Sequence, residues 1–286
     1  MKLDGATFLL QWAAGGLAFC WVTTRHRQVS LGFGWLLRSV YGVMAIGAVA
    51  LFATQELTTA RTIALVAGIG VVLGAATALA VSVVRRRAGV RGREEVLADR
   101  RARVAAMVGR EALEMPERER LPEFPPALDL VAPVCGAVGL LAAAVFAGGP
   151  YALAAARLLV GAAFLGSVSD AMLLGHWYLV QPGLGRGPVK ELVRWTAIVW
   201  PLEIAVFLWP TGMVQVINGT VDDGYHGLLG WIWLTCAVTT IGLVALTWAA
   251  LRERSYSAVM AATGLLYLAI LTVFGTDLVA RAVLRP

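Results

Sequence analysis

Eight runs of about 20 apolar residues set the limits on what this chain can fold into. They cover roughly 5–24, 31–53, 61–84, 128–147, 150–180, 188–209, 227–251 and 256–281. At about 1.5 Å rise per residue, each is long enough to cross about 30 Å of hydrocarbon. Lipid offers no partner to backbone N–H and C=O groups, so each run is expected to be a helix. Composition agrees. The chain is 59% hydrophobic and only 15% charged, where soluble domains average about 45–50% and about 25%. The expected fold is all-α: a polytopic integral membrane protein of about eight transmembrane helices. Its segments are three helices over 1–84, a basic loop over 85–127 and five helices over 128–286. The two groups show no internal repeat, so an inverted-repeat architecture gains no support.

Lysine and arginine placement predicts the orientation. The first, third, fifth and seventh loops contain "RHR", the arginine-rich 85–127 stretch, "GRGPVKELVR" and "RER". Together they hold about three quarters of the basic residues, and the alternate loops are nearly free of them. Both termini are therefore expected outside, with 85–127 in the cytoplasm of a multi-pass cell-membrane protein (plasma or inner membrane). The first run is expected to be retained, because its basic cluster follows the apolar stretch, the reverse of a secretory signal. The net charge of +6 then follows from topology and calls for no nucleic-acid partner.

Within 85–127, Val96, Val104, Met107 and Val108 recur close to helical spacing among charges. This predicts an amphipathic helix that lies on the membrane surface or docks a partner. The prolines of "MPERERLPEFPP" end it. Cys20, Cys135 and Cys236 each lie alone in an apolar run, in no metal-binding or redox spacing. Walker, GxGxxG, GxSxG and HExxH motifs are absent, which disfavours soluble-type nucleotide or hydrolase chemistry.

The candidate functional residues are the ionisable groups inside the runs, which are costly in lipid and expected to be partnered. Topology puts Arg38 about 10 Å and Asp170 about 15 Å from the cytoplasmic face. Arg157 lies about 10 Å below the outer face, and Glu203, just after Pro201, reaches nearly that level. Asp277 falls near the outer boundary of the last run. Two cross-helix pairs are expected from these depths, Arg38 with Asp170 and Arg157 with Glu203. Either locks the packing or forms part of a proton or ion relay.

The polar stretch "DAMLLGHWYLVQPGLGRGPVKELVRW" ends the fifth run. Asp170 and His176 project about 120° apart on one helix, so they form no single site unaided. His176, Trp177 and Tyr178 fall at the cytoplasmic interface, with Pro182 and Gly183 making the turn. They form either an aromatic belt or, with Arg38 and Asp170, a site for a quinone or lipid headgroup. A single haem held by His26 and His176 is geometrically allowed, but His26 sits in a basic loop where a solvated imidazole is the simpler reading. His226 lies outside.

Two functions are expected from these features. One is a membrane subunit of a larger complex, respiratory or redox-linked, that contacts quinone or anchors other subunits. The other is a small secondary transporter or ion-coupled permease that uses Asp170 and Glu203.

Overall fold

The computed structural model describes residues 4–88, 91–108, 122–181, 184–210, 212–253 and 255–284; within 91–108 the described side chains are those of 98, 99 and 101–108. Among these residues every regular element is helical. The order is α1 (Gly5–Thr24), α2 (Leu31–Ala53), α3 (Thr59–Val84), α4 (Arg91–Val108), α5 (Val131–Ala144), α6 (Tyr151–Val180), α7 (Gly187–Leu208), α8 (Gly212–Ile217), α9 (Leu228–Ala250) and α10 (Tyr256–Val283). Short 3₁₀ turns extend α3 over Arg85–Ala88 and lead into α5 over Pro126–Leu130.

Among the described residues, seven helices are long and apolar enough to cross a membrane: α1, α2, α3, α5 with its lead-in turn, α6, α9 and α10. The eighth expected span, 188–209, forms the 22-residue helix α7. It falls short on composition, because Lys190, Glu191, Arg194 and Glu203 leave every 18-residue window with at least three charges. It nevertheless packs on α6 and α9 as part of the same bundle. The 30 residues of α6 span about 45 Å, so the helix tilts or projects beyond the hydrocarbon, as its length implied. The turn before it runs through Gly148 and Gly149, both at positive φ. The stretch 211–227, expected as an external loop, contains the short helix α8, whose Met213 and Val216 pack with Phe207 and Trp233.

α1 and α6 form the axis of the bundle. Buried residues make up 67% and 72% of their membrane windows, against 33 to 39% in the other five. Small residues make this contact close. A Cβ on Gly15 would lie 1.8 Å from the Ala162 carbonyl oxygen, and one on Gly166 would lie 2.3 Å from the Gly15 backbone. The helices therefore touch backbone to backbone, the packing that glycine and alanine permit where lipid supplies no hydrophobic drive. α1 also contacts α2 and α5, and α3 packs on α2 and α5. The three helices before 85 and those after 128 thus share one bundle.

The loop ahead of α9 is fastened by Asp223. Its Oδ1 accepts from the amides of Tyr225 and Gly227 at 2.9 and 2.8 Å, and Oδ2 accepts from Leu229 at 2.8 Å. Desolvation opposes the charge, but these backbone donors outweigh it and hold the carboxyl below its usual range.

Two charged centres inside the bundle

One centre lies toward the ends of α1 and α6 that face the basic loops. Arg38 Nε and Nη2 each donate at 2.7 Å, to Asp129 Oδ1 and Oδ2 respectively. Thr24 Oγ1 adds a third donor to Oδ2 at 2.8 Å. The Phe124 ring lies 4.4 Å from the guanidinium, and the Arg38 and Asp129 side chains are 1% and 2% exposed. This parallel two-bond geometry is the strongest form of arginine–carboxylate pairing. Nearby, Arg27 pairs with Glu123 at 2.7 Å, and Arg85 donates to the Glu123 carbonyl at 2.8 Å. Arginines from three places thus strap the segment entering α5 to the bundle.

The expected Arg38–Asp170 pair does not form. Asp170 accepts the Tyr41 hydroxyl at 2.6 Å through Oδ1. Its Oδ2 is buried and makes no hydrogen bond among the described residues. Next to it, Ser169 accepts the Trp12 indole N–H at 2.9 Å. Depth along the membrane normal was compatible with either partner for Arg38, and rotation of the helices decides between them. Asp129 was missed because it stands at the entrance of its apolar run, where a carboxylate reads as interfacial. The signal available was an acid immediately before the apolar residues of "PALDLVAPV".

The second centre joins α1, α6, α7 and α10. Arg281 Nε donates to Asp277 Oδ2 at 2.7 Å, one turn away on α10, and its Nη2 donates to Gln11 Oε1 on α1. Arg157 of α6 donates to two carbonyls at the end of α7, Val206 at 2.8 Å and Trp209 at 3.2 Å. Those carbonyls have no helical partner, and a cation suits that end of the helix dipole. The expected Arg157–Glu203 pair is therefore replaced by a cap. Glu203 faces Asp277, Arg281 and Arg157 electrostatically, yet neither of its oxygens has a hydrogen-bond donor among the described residues. It is 0% exposed. Gln11 Nε2, Asp277 Oδ1 and Trp233 Nε1 are also buried without a protein partner. Asp277 is buried within this centre, while Gln11 and Arg281 were not singled out from sequence. Arg281 looked like a terminal charge, and an amide within an apolar run attracts little notice.

An apolar layer separates the centres: Phe164, Leu165 and Val168 on α6, Val199 on α7, Leu243 on α9, and Ala269 and Val273 on α10. On α6 these residues fall between Arg157 and Asp170. On α7 and α10 they precede Glu203 and Asp277.

His176, Trp177 and Tyr178 diverge, as consecutive helical residues must. His176 is exposed, with Nδ1 3.5 Å from the Tyr267 hydroxyl of α10. Trp177 donates its indole N–H to Ser30 Oγ at 3.1 Å and packs on Phe33. Tyr178 is buried and donates to the Gly185 carbonyl at 2.6 Å. Pro182 and Gly183, expected to make the turn, lie outside the described residues. Arg38 and Asp170 have the separate partners given above, so these five residues do not converge on one pocket. His26 lies 3.3 Å from Glu191 of α7, so it and His176 approach different helices.

The fold and these centres define an all-α membrane protein with ionisable groups in its interior. No protein-family model, curated protein or solved structure matches the chain.

Proposed function

We propose that the chain is a small proton-coupled permease of the cell membrane in which Glu203 takes up and releases the proton. The observation that carries this reading is the state of Glu203. It is fully buried, lacks any hydrogen-bond donor among the described residues, and faces one acid and two guanidiniums contributed by two other helices. Asp277 is held by Arg281, so Glu203 is the carboxylate of this centre free to change its protonation. An unpartnered charge in a dry interior is expensive, and groups kept in that condition are functional candidates. The apolar layer below it supports the same reading, since a coupled carrier needs a barrier against proton leak. Asp170, beyond the layer with one oxygen uncommitted, is the second proton-accepting group on the path.

The test uses protein reconstituted in vesicles under an imposed pH gradient, with uptake measured over a panel of labelled cationic, zwitterionic and anionic small solutes. Gradient-driven accumulation should be lost in Glu203→Gln. Accumulation that survives this change would contradict the assignment.

A second reading is favoured by α4. Val104, Met107 and Val108 share one face of this helix and are 53%, 84% and 64% exposed. An uncovered apolar face on a charged helix suits docking of a partner. This supports a subunit of a larger complex, with quinone contact and electron transport as its redox-linked form. Gentle-detergent purification separates the readings: stoichiometric redox subunits or bound quinone would favour the second.

A further inference from the structure

Between α7 and α9 runs an open, apolar groove of about 460 Å³, lined by Val193, Ala197, Ile241, Val244, Ala245 and Trp248, with Arg194 at its edge. It begins near the basic-loop ends of both helices. Arg194 is the eighth residue of α7, and Trp248 is the third from the end of α9. From Trp248 the groove rises to Ile241, about 10 Å along the helix, roughly a third of one hydrocarbon thickness.

Arg194 is exposed and makes no hydrogen bond or ion pair among the described residues. Lys190 lies one turn closer to the basic end of α7, and Arg252 follows the end of α9. The nearest carboxylate on α7, Glu191, is turned to Arg25 and His26. Glu253 is exposed next to Arg252. Among the described residues, the groove mouth therefore carries Lys190, Arg194 and Arg252 against one uncommitted acid, above an apolar slot.

We infer that this groove binds an anionic glycerophospholipid, with one acyl chain along Ala197, Ile241 and Ala245 and the phosphate on Arg194. A guanidinium fork matches a phosphate in geometry and charge, and Lys190 adds attraction from the membrane surface. A neutral headgroup such as a quinone would leave the Arg194 charge unmatched, which is why an anionic lipid is the occupant. The Trp248 ring lies at the level where indoles meet headgroups. The site is distinct from both buried centres and does not depend on the permease reading.

The test is native mass spectrometry of protein exchanged into mixed micelles containing phosphatidylglycerol or phosphatidylcholine, read as the fraction of protein retaining one lipid. Phosphatidylglycerol should be retained in preference to phosphatidylcholine. Arg194→Gln should lower its retention about tenfold, the worth of one charge-assisted contact. Ala245→Trp, at an exposed position that fills the slot without touching the core, should lower it as much while Arg194 stays in place. Equal retention of the two lipids would overturn the inference. So would unchanged retention in both variants, or displacement of the lipid by inorganic phosphate alone.

Discussion

Arg38 and Asp129 meet through two parallel hydrogen bonds, with Thr24 supplying a third to the same carboxylate. Glu203, equally buried at the other end of the bundle, meets none. Both sites hold charges that lipid disfavours, but they handle the cost differently. In the first, the charges cancel at contact distance and fix the segment entering α5. In the second, Arg281 is committed to Asp277 and Gln11, and Arg157 caps α7, so Glu203 is surrounded by charge without being bound by it. A paired charge is a clamp, whereas an unpaired one is a place where a proton can arrive or leave.

This contrast predicts its largest effect at the clamp. Asp129→Ala leaves the Arg38 guanidinium buried and unmatched, which costs about 3–5 kcal/mol. Melting in detergent should drop sharply and recover in part when Arg38→Ala is added. A simple sum of the two losses would show that the pair is not coupled. At the other end, Arg157→Ala removes a charged donor from two α7 carbonyls and should cost about 1.5–3 kcal/mol. Because those bonds run to backbone rather than to Glu203, most of that loss should remain in a Glu203→Gln background. Tyr41→Phe strips Asp170 of its donor and should cost about 1–3 kcal/mol, read in the same melts. Glu203→Gln should lower stability by no more than about 1 kcal/mol, since it breaks no hydrogen bond among the described residues. A large loss there would make Glu203 a structural residue and erase the contrast.

The smallest effect lies outside both centres. The Asp223 carboxyl is held below its usual range by backbone donors, so its stabilising contribution is fully present above that range. It is lost as pH falls through the depressed folded-state value. The protection of the Leu229 amide, the slowing of its exchange relative to an unstructured amide at the same pH, should fall in acid and be low at every pH in Asp223→Ala. Protection that ignores both changes would detach Asp223 from the start of α9.

Membrane class and helix positions were legible in the sequence because apolar runs of bilayer length have few alternatives. The boundaries of α1, α2 and α6 fall within a residue or so of the apolar runs. α7 was legible as a helix, and its charges explain why it differs from its neighbours. What could not be read was rotation. Depth estimates brought Arg38 level with Asp170 and Arg157 level with Glu203, yet each arginine turns elsewhere, to Asp129 and to the carbonyls of Val206 and Trp209. Hydropathy also undervalues residues at the edges of runs. Asp129 stands at the entrance of its run and Arg281 near the end of α10, and the structure buries both. His176, Trp177 and Tyr178 attracted attention by adjacency, which on a helix sends side chains to different neighbours.

The difference between the centres can be measured directly by pH-difference infrared spectroscopy of the carboxyl C=O band in lipid-reconstituted protein. The wild-type spectrum should contain a pH-dependent component that is lost in Glu203→Gln and retained in Asp170→Asn. A difference spectrum left unchanged by Glu203→Gln would contradict the account, because the proton would then be held elsewhere.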